Sequence, residues 1–149
     1  MKALEIAQDI AYLCNKYNYP FNNTKIQKLL YLFVGFCLIN NVNEIYTIDE
    51  KPKIWPYGPV FPRVHKKYNE IEQSTITDIK SVSDEKIKNI LEQTVKQWGN
   101  ISAGVLSDWS HREGSPWYEL AMEKFAKWNT EINLDDIKVY FKNNVENII

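Results

Sequence analysis

A chain of 149 residues, 44% hydrophobic and holding five Trp, nine Tyr and six Phe, can bury roughly 70% of its unfolded surface as one domain, which excludes a disordered segment. A net charge of −1 excludes a global field that would hold it on a nucleic-acid backbone or an anionic membrane, so any such contact has to be local. Lys2, Glu5 and Asp9 interrupt the apolar positions of the N-terminus, and the longest apolar run, residues 29–39, is too short for a bilayer, so neither a signal peptide nor a membrane span is expected.

Apolar residues at Ala3, Ile6, Ala7, Ile10, Leu13, Cys14 and Tyr17 recur at helical spacing and predict an amphipathic first helix, ended by residues 18–23 with Pro20 among them. Asn22 or Asn23 caps a second helix. Its residues Ile26, Leu29, Leu30, Leu32, Phe33, Phe36, Cys37 and Leu38 cover most of the circumference, which predicts the central, most buried element. Gly35 lowers helix propensity there and implies close approach of a neighbouring backbone. Cys14 and Cys37 lie on apolar helix faces and read as small buried hydrophobes; their spacing matches no metal or redox motif, and a reducing cytoplasm is the expected compartment.

Beyond residue 40 the helical period stops. Short β-prone pieces at 45–48 and 53–57, followed by Gly58, Pro59 and Pro62, predict a small hairpin or ribbon. Val60, Val64, Tyr68 and Ile71 suggest a short third helix, and residues 74–79 alternate as an edge strand would. Ser83 caps the next helix, with Ile87, Ile90, Leu91, Val95 and Trp98 inward and Gly99 closing it. Three more helices are expected at 102–110, at 116–127 behind Ser115 and Pro116, and at 134–145 after Asn133. The expected fold class is mainly α with a small β-hairpin (α+β), a compact multi-helix single domain over 1–149.

Three motifs stand in order along the chain. The first is Lys25, Ile26, Gln27, Lys28, Leu29, Leu30 and Tyr31, running on to Gly35. The second is Trp55, Pro56, Tyr57, Gly58, Pro59 and Val60, followed by Pro62 and Tyr68. The third is Leu106, Ser107, Ser110, His111, Ser115, Pro116 and Trp117. Together they resemble the Panacea antitoxin domain, the family of SocA-like and phage-associated GepA-like proteins, over nearly the whole chain, including a closing helix at 132–141. Val34, Phe36 and Cys37 depart from the Gln before the glycine and the Trp or His after it that the family often has, and Ser110 stands where Thr is common; these changes are conservative for packing. The resemblance implies an antitoxin that binds a cognate toxin protein encoded by a neighbouring gene. Its alternatives are an adaptor that delivers a bound protein to a protease, as in the SocA-like branch, or a phage-encoded regulator. A stand-alone domain without a DNA-binding module is expected.

For the Tyr57, Gly58, Pro59 turn, an architectural role comes first: glycine supplies a conformation other residues resist, and Pro59 pre-sets the entry to the next helix. A partner contact is the sharper alternative. Lys51, Lys53, Arg63, Lys66 and Lys67 form a basic run beside Trp55 and Tyr57, either a solvated face or a match for an acidic partner surface. Arg63, with its planar fork, is the best single anchor there, supported by Lys66. Trp117 favours burial, and His111 either fixes a loop by hydrogen bonding or meets a partner. The candidate partner-binding set is therefore Trp55, Tyr57, Gly58, Pro59, Arg63, Lys66, His111 and Trp117.

No catalytic, cofactor or metal site is expected. His65 and His111 are the two imidazoles, no Cys, His, Asp or Glu cluster has ligand spacing, and Gly35, Gly58, Gly99, Gly104 and Gly114 are isolated rather than gathered in a phosphate loop. A DNA-binding regulator, with a hidden helix-turn-helix and the basic run on phosphate, is the alternative from another class; Glu70, Glu72, Asp78, Asp84, Glu85 and Glu92 follow closely and argue against it. A homodimer is open to the chain, though no heptad run specifies one.

Overall fold

A computed structural model describes residues 1–144. Helix α1 (Ala3–Lys16) turns one apolar stripe inward, from Ala3 through Ile6, Ala7, Ile10 and Leu13 to Cys14. Helix α2 (Asn23–Ile39) starts where the Asn22 side chain accepts the Lys25 N–H at 2.9 Å. Asn18 and Asn41, just past the two helices, take left-handed φ values of 59° and 57°, a conformation Asn tolerates better than most residues.

Helix α2 forms the axis of the molecule. Packed around it are α1, α5 (Glu85–Trp98), α6 (Ala103–Ser110) and α8 (Leu134–Asn144), so it is buried nearly all round. Each fully buried Leu, Ile or Phe contributes about 1.5–3 kcal/mol of transfer free energy, which makes α2 the largest apolar contributor to the core. At Gly35 the close neighbour is an aromatic ring rather than the expected backbone: a Cβ there would lie 2.2 Å from Phe141 Cε2. The Phe141 ring packs edge-on against Tyr31, Phe36 and Trp109 at 5.6–5.8 Å between centroids. Cys14 and Cys37 are both buried and free, and burial pushes their thiols up to about 11 and about 12.

Strands β1 (Lys53–Trp55) and β2 (Gly58–Val60) form an antiparallel hairpin with Lys53 opposite Val60 and Trp55 opposite Gly58. Gly58 has φ +120°, which an L side chain rarely adopts. A third extended piece that the sequence reading does not foresee lies along β1: Ile54 N–H donates to Thr130 O and Ile132 N–H to Pro52 O, with Lys53 bridged to Glu131.

Several expected elements are corrected. The β-prone piece at 45–48 belongs to a 3-10 helix (Asn43–Thr47); Ile45 and Ile48 are one 3-10 turn apart, so both reach the core without a strand. Residues 74–79 form no strand: the chain that follows them is tied to α1, where buried Asp9 accepts the N–H groups of Lys80 and Ser81 at 3.0 and 2.8 Å. The third helix divides into α3 (Pro62–Lys66) and α4 (Tyr68–Glu72), and Val60 belongs to β2. Asp84, not Ser83, caps α5 by accepting the Ile87 N–H. Helix α7 (Pro116–Tyr118) runs into a π-helical turn (Glu119–Glu123) and stops there instead of at 127, because Phe125 takes the left-handed φ of 52°. The last helix begins at Leu134, as the residue spacing predicts, rather than at 132; the final residue of the expected 134–145 helix lies outside the described residues.

Candidate functional site

The hairpin is held against α2 by polar side chains that periodicity alone assigns to solvent. Gln27, 1% exposed, accepts the Phe61 N–H at 2.7 Å through Oε1 and donates to the Phe61 carbonyl at 3.4 Å. Lys25 donates to the Gly99 carbonyl at 2.8 Å, and Lys28, 3% exposed, donates to the Pro59 carbonyl at 3.0 Å. Burial pushes the Lys28 ammonium down to about 8. Gly58 completes the fit, since a Cβ on it would lie 2.9 Å from both Lys28 Nζ and Ser110 Oγ.

Of the six sequence candidates besides Gly58 and Pro59, four gather with the hairpin: Trp55, Tyr57, His111 and Trp117. Trp55, partly exposed, meets His65 edge-on at 5.1 Å, and its carbonyl accepts the indole N–H of buried Trp117 at 2.8 Å. Trp117 in turn packs against His111 at 5.4 Å. His111 Nδ1 reaches the Ser107 carbonyl, which can accept only, so this nitrogen carries the proton. Ser107 Oγ donates to the Tyr57 carbonyl at 3.2 Å, fixing the turn while the Tyr57 ring stays 81% exposed. Gly58 and Pro59 are buried and position this turn.

The remaining two candidates, Arg63 and Lys66, line a different cleft, of about 600 Å³, together with Ala3, Asp49 and Glu50. Arg63 is engaged within the fold: its guanidinium donates to the Asp49 carbonyl and lies 3.4 Å from Glu50 Oε2. Buried Glu50 also accepts the Arg63 and Val64 N–H groups, at 2.8 and 3.3 Å, and so caps the start of α3. Helix α3 contributes to two clefts, with Arg63 and Lys66 in this one and His65 in another of about 550 Å³ bounded by α2, the hairpin and α6.

An aromatic shelf beside the hairpin escapes the sequence reading. Trp128, 53% exposed, stacks on Trp117 at 6.2 Å and 26°, and Phe125 is 82% exposed with Met122 nearby in sequence at 49%. Asn129, next to Trp128, accepts the Trp55 indole N–H at 3.1 Å, so the shelf and the turn are joined. A bulky residue at positive φ costs of order 1–3 kcal/mol, and such strain concentrates at functional surfaces. The sequence signal for this shelf is the cluster Met122, Phe125 and Trp128 in a charged stretch, most of which falls within the helix expected to 127.

Among the described residues, no group of three or more His, Cys, Asp or Glu is placed to hold a metal ion, and no helix is long and apolar enough to cross a membrane. The arrangement offers exposed aromatic rings, hydrogen-bonding groups and a buried cation, which suits recognition of another surface.

Comparison with known proteins gives one family and one named relative. The family described as Antitoxin SocA-like, Panacea domain, matches residues 26–118, which takes in most of α2, the hairpin and the helices from α3 to α7. The chain is 29% identical over 116 residues to Antitoxin SocA of Caulobacter vibrioides (strain NA1000 / CB15N), covering 68% of this chain and 61% of that protein. It thus spans less than two thirds of the length of the relative it matches. No solved structure matches.

Proposed function

Because the chain belongs to the family of SocA-like Panacea antitoxin domains, we propose that it is a non-enzymatic antitoxin that neutralises a cognate toxin protein by binding it directly. The observation that carries this reading is the set of exposed aromatic side chains on and beside the hairpin: Tyr57 at 81%, Phe125 at 82% and Trp128 at 53% exposure, set on a framework held by Lys28, Gln27 and Trp117. Interfaces draw their energy from a few large anchors on a rigid base, and aromatic side chains dominate such anchors. Trp55, Tyr57, Phe125 and Trp128 are the contact residues in this reading, His111, Trp117, Gly58 and Pro59 hold them, and Arg63 and Lys66 serve the rim.

The test is co-expression with the product of the neighbouring open reading frame, read by growth and by affinity purification. The expected result is that the neighbour arrests growth alone and that this chain both restores growth and co-purifies with it. A harmless neighbour, or a rescue without complex formation, would overturn the direct-binding reading. Toxin abundance in the rescued cells separates occlusion, which leaves it unchanged, from delivery to a protease, which lowers it.

A further inference from the structure

We infer that the cleft between α2, the hairpin turn and α6 receives the carboxylate of an aspartate or glutamate side chain from the protein partner, with the Lys28 ammonium as its counter-ion. This deepens the toxin-binding reading and rests on it for the identity of the partner.

The inference begins with Lys28 itself. It lines the cleft while being 3% exposed, and an ammonium carries three N–H donors. One of these goes to the Pro59 carbonyl; among the described residues no carboxylate forms an ion pair with it. The described residues that line the cleft include no Asp or Glu, and His65 and Thr24 add polar groups at its wall. The buried acids are fully engaged, Glu50 with Arg63 and two backbone N–H groups and Asp9 with two backbone N–H groups, whereas Lys25, 5% exposed, resembles Lys28 in having one carbonyl acceptor, that of Gly99. Of these two lysines Lys28 is the less exposed and lines the larger cleft, about 550 Å³ against about 270 Å³ beside Lys25.

Such an arrangement favours an acidic occupant for a physical reason. Folding has already stripped water from the ammonium, as its depressed pKa near 8 reflects, so an incoming carboxylate meets a preorganised cation and loses only its own hydration. At neutral pH the group is still mostly protonated. Trp55 and Tyr57 also line the cleft, and their apolar rings lower the local dielectric around such a pair and so strengthen it.

Two measurements on the intact chain test this. In the first, the Lys28 side-chain NMR resonance is followed on addition of N-acetyl-glutamate N-methylamide and, separately, the corresponding blocked glutamine. Selective perturbation of Lys28 by the glutamate compound is expected. Equal response to the two compounds, or none, would overturn the proposal whether or not a toxin binds. In the second, the dissociation constant for the neighbouring gene's product is compared among the wild type, Lys28→Met, Gly104→Glu and Gly104→Gln. Gly104 sits at the cleft in open space, with nothing within 4 Å of an added Cβ, so its variants keep the test valid if Lys28→Met fails to fold. At least tenfold weakening is expected for Lys28→Met, and Gly104→Glu should weaken binding several-fold more than Gly104→Gln. Binding that is tight in the wild type and unchanged in Lys28→Met and Gly104→Glu would overturn the carboxylate site and leave the antitoxin reading standing. Selective capture of the blocked glutamate without any binding of the neighbour's product would do the reverse.

Discussion

Gly58 and Lys28 explain each other. The glycine is needed because its φ of +120° and the 2.9 Å gaps to Lys28 Nζ and Ser110 Oγ leave no room for a methyl group. Gly58→Ala is expected to destabilise the fold by about 2 kcal/mol, measured by urea unfolding, since strained backbone and overpacking each cost of order 1–3 kcal/mol. The Lys28 ammonium has its own signature in the pH dependence of stability. Its pKa is about 8 folded against 10.5 unfolded, so between these values the unfolded chain binds more protons and stability rises with pH. The wild type should therefore gain about 2–3 kcal/mol relative to Lys28→Met between pH 8 and 10.5, by the 1.36 kcal/mol per unit of linkage; parallel stability curves would contradict this. Phe125 should behave oppositely in stability and in function. Phe125→Gly relieves the positive φ and is expected to stabilise the fold by about 1 kcal/mol while weakening partner binding. These residues were hard to find in the sequence for different reasons. A lysine in a helical pattern is counted as solvent-facing, although the stem of Lys28 runs through the core to a carbonyl. Phe125 falls within the helix that the residue pattern predicts to 127, although its left-handed conformation is incompatible with one.

At the scale of elements, the long helices were legible because their apolar spacing coincides with what they bury; α1 and α5 each present a single stripe, and α2 is apolar almost throughout. The short pieces were not. Ile45 and Ile48 fit a strand or a 3-10 turn equally well, and a four-residue pattern holds too little information to decide. The segment at 74–79 had strand composition, but pairing needs an available edge, and the chain beyond it is instead fastened by Asp9. The hairpin was legible from its glycine and prolines, whereas its third extended neighbour at 129–132 was not, because that contact joins segments far apart in sequence. The α2 and α8 pair provides a test at this scale. A methyl at Gly35 would lie 2.2–2.5 Å from the Phe141 ring, so Gly35→Ala is expected to cost about 1–3 kcal/mol. Adding Phe141→Leu should recover part of that loss in a double-mutant cycle; simple additivity of the two changes would contradict the ring-into-glycine packing.

For the whole molecule, one relation organises the account: the most buried helix carries, on its first turns, the polar groups that hold the candidate contact surface. Lys25, Gln27 and Lys28 reach from α2 to the backbone at Gly99, Phe61 and Pro59; Tyr57 lines the cleft beside Gln27 and Lys28, and the shelf of Phe125 and Trp128 is joined to the hairpin through Trp117 and Asn129. The resemblance to the Panacea domain was readable from the motif residues because these are the residues that make this framework. The aromatic shelf was not readable, since exposure is a property of the fold and not of composition. The most direct measurement of the central claim is the affinity of the neighbouring gene's product for the wild type and for a Tyr57→Ala, Phe125→Ala, Trp128→Ala triple variant. Because these side chains are largely exposed, the variant should unfold at nearly the same urea concentration and lose about a hundredfold or more in affinity, as truncation of clustered aromatic anchors does. A triple variant that binds as tightly as the wild type would contradict the claim that this surface is where the toxin is held.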